Sequence, residues 1–221
     1  QFFNKVCKRN RKLVSLFTNQ KIIAMKKVFI LAVIILTVGI VPNSFAQKHE
    51  VKSSWFKNGS VLTYHVVNGN KEYDYIVNDL DLSKDISFKW KMTEPVNYNG
   101  RIKIYDAALD TAMKMVNYFE NGSSLDMNNK TTAMFSRKAY KMLIGQQAIT
   151  VRIDNTPETV NFERYENYAI TVDGLQQQVE VMVASTATGK KFWILDNPKF
   201  PLIIKMELAF TIDLRTVNTA N

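Results

Sequence analysis

Four oxygen-bearing residues at alternate positions, Asp79, Asp81, Ser83 and Asp85, form the most chemically suggestive spacing in the chain. Oxygen ligands repeated every second residue are what a calcium loop uses, but such a loop also needs a glycine at its sixth place and a bidentate acid at its twelfth. Lys84 and Trp90 stand at those places. A solvated turn between two strands explains the spacing better than a cation does.

The other reactive residue types are sparse. Glu158, Glu163, Glu166 and Glu180 fall on neighbouring predicted strands, where two carboxylates at the right separation could cleave a glycosidic bond. Two histidines, His49 and His65, with no cysteine near them, do not make a zinc site. Thr188-Gly189-Lys190-Lys191 lacks both the first glycine and the closing hydroxyl of a phosphate-binding loop, and no G-x-S-x-G elbow occurs. The chain therefore reads as non-enzymatic, with no cofactor and no metal. What it has in quantity is pliable apolar bulk: Trp90, Met92, Met113, Phe119, Trp193, Met206 and Phe210 could line a groove for a hydrophobic ligand, or fill a core.

Positioning these residues falls mostly to strands, because apolar residues recur at every second position. Leu62, Tyr64 and Val66 lead to Asn68-Gly69, a hairpin signal, and Tyr73, Tyr75 and Val77 lead back, with His65 on the opposite face from Tyr64. Ile86, Phe88, Trp90 and Met92 alternate until Glu94-Pro95 stops the strand. Over 106–122 the period changes: Leu109, Ala112, Met113, Val116 and Phe119 lie three or four residues apart behind Asp106, which predicts the main helix, closed by Gly122. A shorter helix is predicted from Ser136 through Leu143 to Gly145, with 124–133 between them as one further strand.

Beyond Gly145 the pattern is strand again, turning around Asn155-Thr156-Pro157, at Asp173-Gly174, at 186–189 and at Asp196-Asn197-Pro198. From Leu202 to Leu214 the even positions are almost all large and apolar. Thirteen residues at about 3.3 Å each would span about 40 Å, so this strand must coil or break near Ala209. The expected fold is mainly β (α+β): a strongly curled antiparallel sheet, a half-barrel or β-clam, packed on one main helix and a short second helix.

The N-terminal quarter decides compartment and charge. Met25, Lys26 and Lys27, the apolar run over 28–41, Pro42 and Ser44-Phe45-Ala46 read as a signal peptide over 25–46, cleaved near Ala46. Residues 1–24, opening on Gln1 and wholly basic in their charge, read as upstream translated sequence, the alternative being a basic arm. An uncleaved anchor is disfavoured because the run has 14 residues where a spanning helix needs about 20.

Eight of the 29 Lys and Arg residues and none of the 20 Asp and Glu precede Gln47, so 47–221 carries 21 basic against 20 acidic residues, a net +1. A near-neutral product argues against nucleic acid or an anionic lipid surface as partner, and with the apolar run cleaved no stable membrane insertion is expected. The single cysteine, Cys7, also precedes the cleavage site, so stability must come from the core of one domain over 47–221.

Phe192-Trp193-Ile194-Leu195-Asp196-Asn197-Pro198, followed by Pro201-Leu202-Ile203-Ile204-Lys205-Met206, together with the helix start Ser136-Arg137-Lys138, resembles uncharacterised secreted bacterial envelope proteins with a β-clam or half-barrel domain, distantly similar to lipoprotein-localisation carriers. That resemblance implies an apolar ligand and transfers no catalytic residue. The expected location is the periplasm or the exterior. Two functions fit: binding a hydrophobic small molecule or lipid in the concave face of the sheet, or recognising an envelope protein or glycan through loops, edge strands and exposed residues such as Asn97, Tyr98, Tyr165 and Asn167.

Overall fold

The computed structural model describes residues 53–220. The segment 1–24 read as upstream sequence, the predicted signal peptide 25–46, Cys7 and His49 lie outside the described residues. A 3-10 turn, Ser53–Trp55, leads into twelve strands that form a single sheet in the order β5-β7-β8-β9-β10-β11-β12-β1-β2-β3-β4-β6. Their ranges are β1 Val61–Asn68, β2 Lys71–Asp81, β3 Ile86–Met92, β4 Asn99–Ile104, β5 Lys114–Met115, β6 Ser123–Met127, β7 Ala148–Ile153, β8 Thr156–Val172, β9 Leu175–Thr186, β10 Lys191–Leu195, β11 Ile203–Glu207 and β12 Thr211–Asn218. Two α-helices, α1 Asp106–Thr111 and α2 Arg137–Gln146, accompany them. Among the described residues no helix is long and apolar enough to cross a membrane.

The sheet is strongly curved, as the core requires. Ile102, Ile104 and Met127 on β4 and β6 share one core with Val181 and Leu195 on β9 and β10. With neighbouring strands about 4.8 Å apart, six strand steps in a flat sheet would separate β10 from β4 by about 30 Å. A curved sheet lets one continuous apolar cluster run between them. Curling also carries the tip of the β8–β9 hairpin back to β12, where Thr171 and Val172 pair in parallel with Thr216 and Val217. The strands from β8 to β12 thereby form a closed circuit of pairings.

A second core lies on the opposite face of β9–β11. Val181, Met182, Val183 and Ala184 are all fully buried, yet Val181 and Val183 belong to the first core and Met182 and Ala184 to the second. A strand covered on both faces needs no polar alternation, which explains the unbroken apolar run of β10. Helix α2 covers this second face with Ala139, Tyr140 and Leu143.

The helices correct the sequence reading. The main helix predicted over 106–122 ends at Thr111, and the helix predicted to be short is the longer of the two. Past Ala112 the backbone is captured by strands: Lys114 and Met115 pair with Arg152 and Ile153 of β7, and Val116 N–H donates to the Thr131 carbonyl at 3.0 Å. Val116-Asn117-Tyr118-Phe119 are all weak helix formers, and the propensity lost by extending them is a few tenths of a kcal/mol each. Burying Met115 in the second core outweighs that.

Ser136 caps α2 as expected, its Oγ accepting from Ala139 N–H at 3.0 Å, but the left-handed residue that ends the helix is Gln147 rather than Gly145. Asp106 begins α1 without capping it, and Tyr105 holds the cap position. Arg137 ties the helices together, donating to Asp106 at 3.0 Å and Asp110 at 2.6 Å.

Two further expectations change in detail. The predicted thirteen-residue strand does break at Ala209, but as a full reversal, with Glu207 opposite Thr211 across a three-residue loop. Between the turns predicted around Asn155-Thr156-Pro157 and at Asp173-Gly174 the chain runs as one 17-residue strand, β8, which absorbs its length with a register shift between Phe162 and Arg164. The first hairpin turns on Gly69-Asn70, with Asn68 paired to Lys71 and Gly69 at a φ of 63°.

Candidate functional site

Strand registers set three rungs across the centre of the sheet. The innermost runs Val217, Leu62, Val77, Trp90, Gly100. The next runs Leu214, Tyr64, Tyr75, Met92, and the outermost Met206, Ile212, Val66, Tyr73.

The innermost rung is solid core. Trp90 is 1% exposed, and a Cβ placed on Gly100 would stand 2.7 Å from its Cζ2 and 2.6 Å from the Ser123 carbonyl oxygen. Only glycine lets the indole lie that close to backbone.

The two outer rungs do not fill the space above them. A cavity of about 300 Å³ lies there, walled by Tyr64, Val66, Tyr73, Tyr75, Met92, Ile203, Met206 and Ile212 of the sheet. Segments 117–119 and 132–133, with Phe210 at the β11–β12 turn, close its other sides. Asn68, Lys71, Tyr98 and Tyr118 line it and are exposed, so they mark the mouth. The cavity opens where the two cores meet, since Phe210 and Ile212 pack against both.

Aromatic contacts hold this frame. Tyr75 stacks on Trp90 at 5.8 Å between centroids, and Trp90 meets Phe119 at 5.9 Å, so the deep indole backs both wall and roof. Tyr118 meets the ring of Phe210 edge-on at 5.7 Å. Such aromatic pairs contribute about 0.5–1.5 kcal/mol each beyond the area they bury. Asp154, at the β7–β8 turn, fixes the roof by accepting from Asn117 N–H at 2.7 Å and Asn117 Nδ2 at 3.0 Å.

The wall is neutral. Burial pushes the Tyr64 and Tyr75 phenols well above their ordinary range, the neighbouring Tyr64 adding to the effect on Tyr75, so both stay protonated at any physiological pH. The Tyr64 hydroxyl donates to the Ile203 carbonyl at 3.3 Å. The Tyr75 hydroxyl makes no hydrogen bond among the described residues, although its residue is 7% exposed.

Comparison with known protein families finds no family model that matches the chain. No curated protein matches it.

Of the seven residues proposed from sequence to line a groove, the fold brings Met92, Phe119, Met206 and Phe210 to this cavity. The other three stand elsewhere. Trp90 is one rung too deep. Met113 packs against the second core, beside α2. Trp193 lies apart from the cavity, its Nε1 donating to Glu166 at 2.7 Å and Lys205 standing 4.4 Å from the ring centroid. The tyrosines were missed, although their parity with Leu62 and Val77 in a hairpin was a usable signal.

The remaining reactive residues are committed to one another. Asp79 pairs with Lys89 at 2.8 Å, Asp81 accepts from Ser83, and Asp85 accepts from Lys103 at 3.0 Å and from Asp106 N–H, so the three acids do not converge. Among the described residues no three His, Cys, Asp or Glu gather to hold a metal. Glu158 accepts from Lys190 and Thr188, while Glu163 and Glu166 flank Arg164. Glu158, Glu163 and Glu166 share β8 rather than separate strands. His65 lies between Glu72 and Asp74, at 3.7 and 3.6 Å, on the face away from the cavity.

Proposed function

We propose that the chain is an exported, non-enzymatic binding protein that holds a hydrophobic or amphipathic small molecule in the concave side of a half-barrel of the β-clam type. The observation that carries this reading is the cavity itself. A well-packed domain leaves few voids larger than a water molecule, whereas small-molecule sites run from about 300 to 1,000 Å³ and are mostly apolar with a few polar groups. Here about 300 Å³ stands open beside tyrosine, methionine and phenylalanine side chains. Methionine adapts to ligands of differing shape, and tyrosine offers an apolar face with a polar tip.

Titration with a polarity-sensitive apolar fluorophore tests the proposal. The native protein should give saturable enhancement at one site, and Met92→Trp, which fills the cavity from a half-buried position, should lower the affinity at least tenfold while leaving the fold intact by circular dichroism. An equal response from both proteins, or none from either, would remove the reading.

A further inference from the structure

Charge at the cavity narrows the class of ligand, on the premise that the cavity is a binding site. Of the side chains that line it, Lys71 alone carries a formal charge, and no Asp or Glu contributes. The alternation of β2 produces this asymmetry: Lys71, Tyr73 and Tyr75 take the cavity face, while Glu72 and Asp74 turn to the other and meet His65. Lys71 makes no ion pair among the described residues. Its exposed ammonium therefore stands at the mouth of an otherwise neutral, aromatic-walled space.

Each ligand class meets this arrangement differently. A cation would find aromatic faces but also Lys71, with no carboxylate to offset the repulsion. A neutral apolar molecule gains nothing at the mouth. An anion carried on an apolar chain satisfies both ends at once. A methylene takes about the volume of a liquid water molecule, about 30 Å³, so a cavity of about 300 Å³ accepts a chain of about ten carbons.

We infer that the cavity takes a single-chain anionic amphiphile, a carboxylate or a phosphate monoester, with its chain against Tyr73, Tyr75 and Met206 and its headgroup at Lys71. The headgroup pair is solvent-exposed and contributes modestly, up to about fivefold in affinity, and weakens with salt.

Displacement of the fluorophore by decanoate, decyl phosphate and decanol, at low salt and neutral pH, decides the matter. Either or both anions should displace it at about three- to fivefold lower concentration than decanol, and the stronger of the two identifies the headgroup as carboxylate or phosphate. The advantage should disappear in Lys71→Met and in 0.5 M salt as an expected screening effect on the order of a 4 Å Debye length. Decanol matching both anions in the native protein would overturn the headgroup assignment and leave the apolar site standing. Displacement by none of the three would overturn the site as well.

Discussion

Asn117 and Asp154, 37 residues apart, are joined by two hydrogen bonds that the Asp154 carboxylate accepts, one from the Asn117 backbone N–H and one from its side-chain amide. The pair couples the roof of the cavity to the tight turn between β7 and β8. Asp154 and Asn155 both have positive φ, 49° and 73°, the signature of a hairpin turn that matches strand twist.

Replacing Asp154 by glycine keeps the turn conformation accessible and removes the carboxylate. Loss of two hydrogen bonds to a charged group, partly compensated by water, should cost about 1–3 kcal/mol. Urea denaturation would show the loss, and hydrogen exchange should accelerate at residues 116–119 more than in β9 or β10.

Gly100→Ala tests the packing behind the cavity. The added methyl would meet backbone on one side and the Trp90 indole on the other, both closer than 3 Å. Overpacking of this kind costs about 1–3 kcal/mol, and the indole carries the displacement to Tyr75. A lower denaturation midpoint together with a shifted tryptophan emission spectrum is the expected result.

Glu158 gives a pH dependence of definite sign. Its hydrogen bond from Lys190, helped by one from Thr188, holds its carboxyl below the ordinary glutamate range despite some desolvation. The folded state thus binds fewer protons than the unfolded one as pH falls. The stabilisation is complete above about pH 4.3, the unfolded value, and fades as the pH drops through the lower folded one. Thermal midpoints of native protein and Glu158→Gln should differ at pH 7 and converge towards pH 3.

These variants also mark how much was legible in the chain. Period-two patterning located the β1–β2 hairpin and the Asp173-Gly174 turn, and a serine just ahead of a helical apolar pattern located the cap at Ser136, because each depends on neighbours in sequence. The end of α1 did not, because Lys114 and Met115 are held by β7 and Thr131, residues that lie beyond α1 in the chain. Met92, Phe119, Met206 and Phe210 could be chosen as soft apolar residues, but nothing local separates them from Trp90, which differs only by standing one rung deeper. Lys71 was invisible as a site residue because its meaning comes from the face it shares with Tyr73 and Tyr75.

Methyl resonances of the methionines offer the most direct test of the central claim, that the space beside Tyr64 and Tyr75 is a ligand site. With 13C-methyl-labelled methionine and increasing decanoate, the signals of Met92 and Met206 should shift saturably and show contacts to the chain, while Met113 and the fully buried Met182 stay unchanged. Silence at Met92 and Met206 at saturating decanoate, or perturbation centred on Met113, would contradict the account.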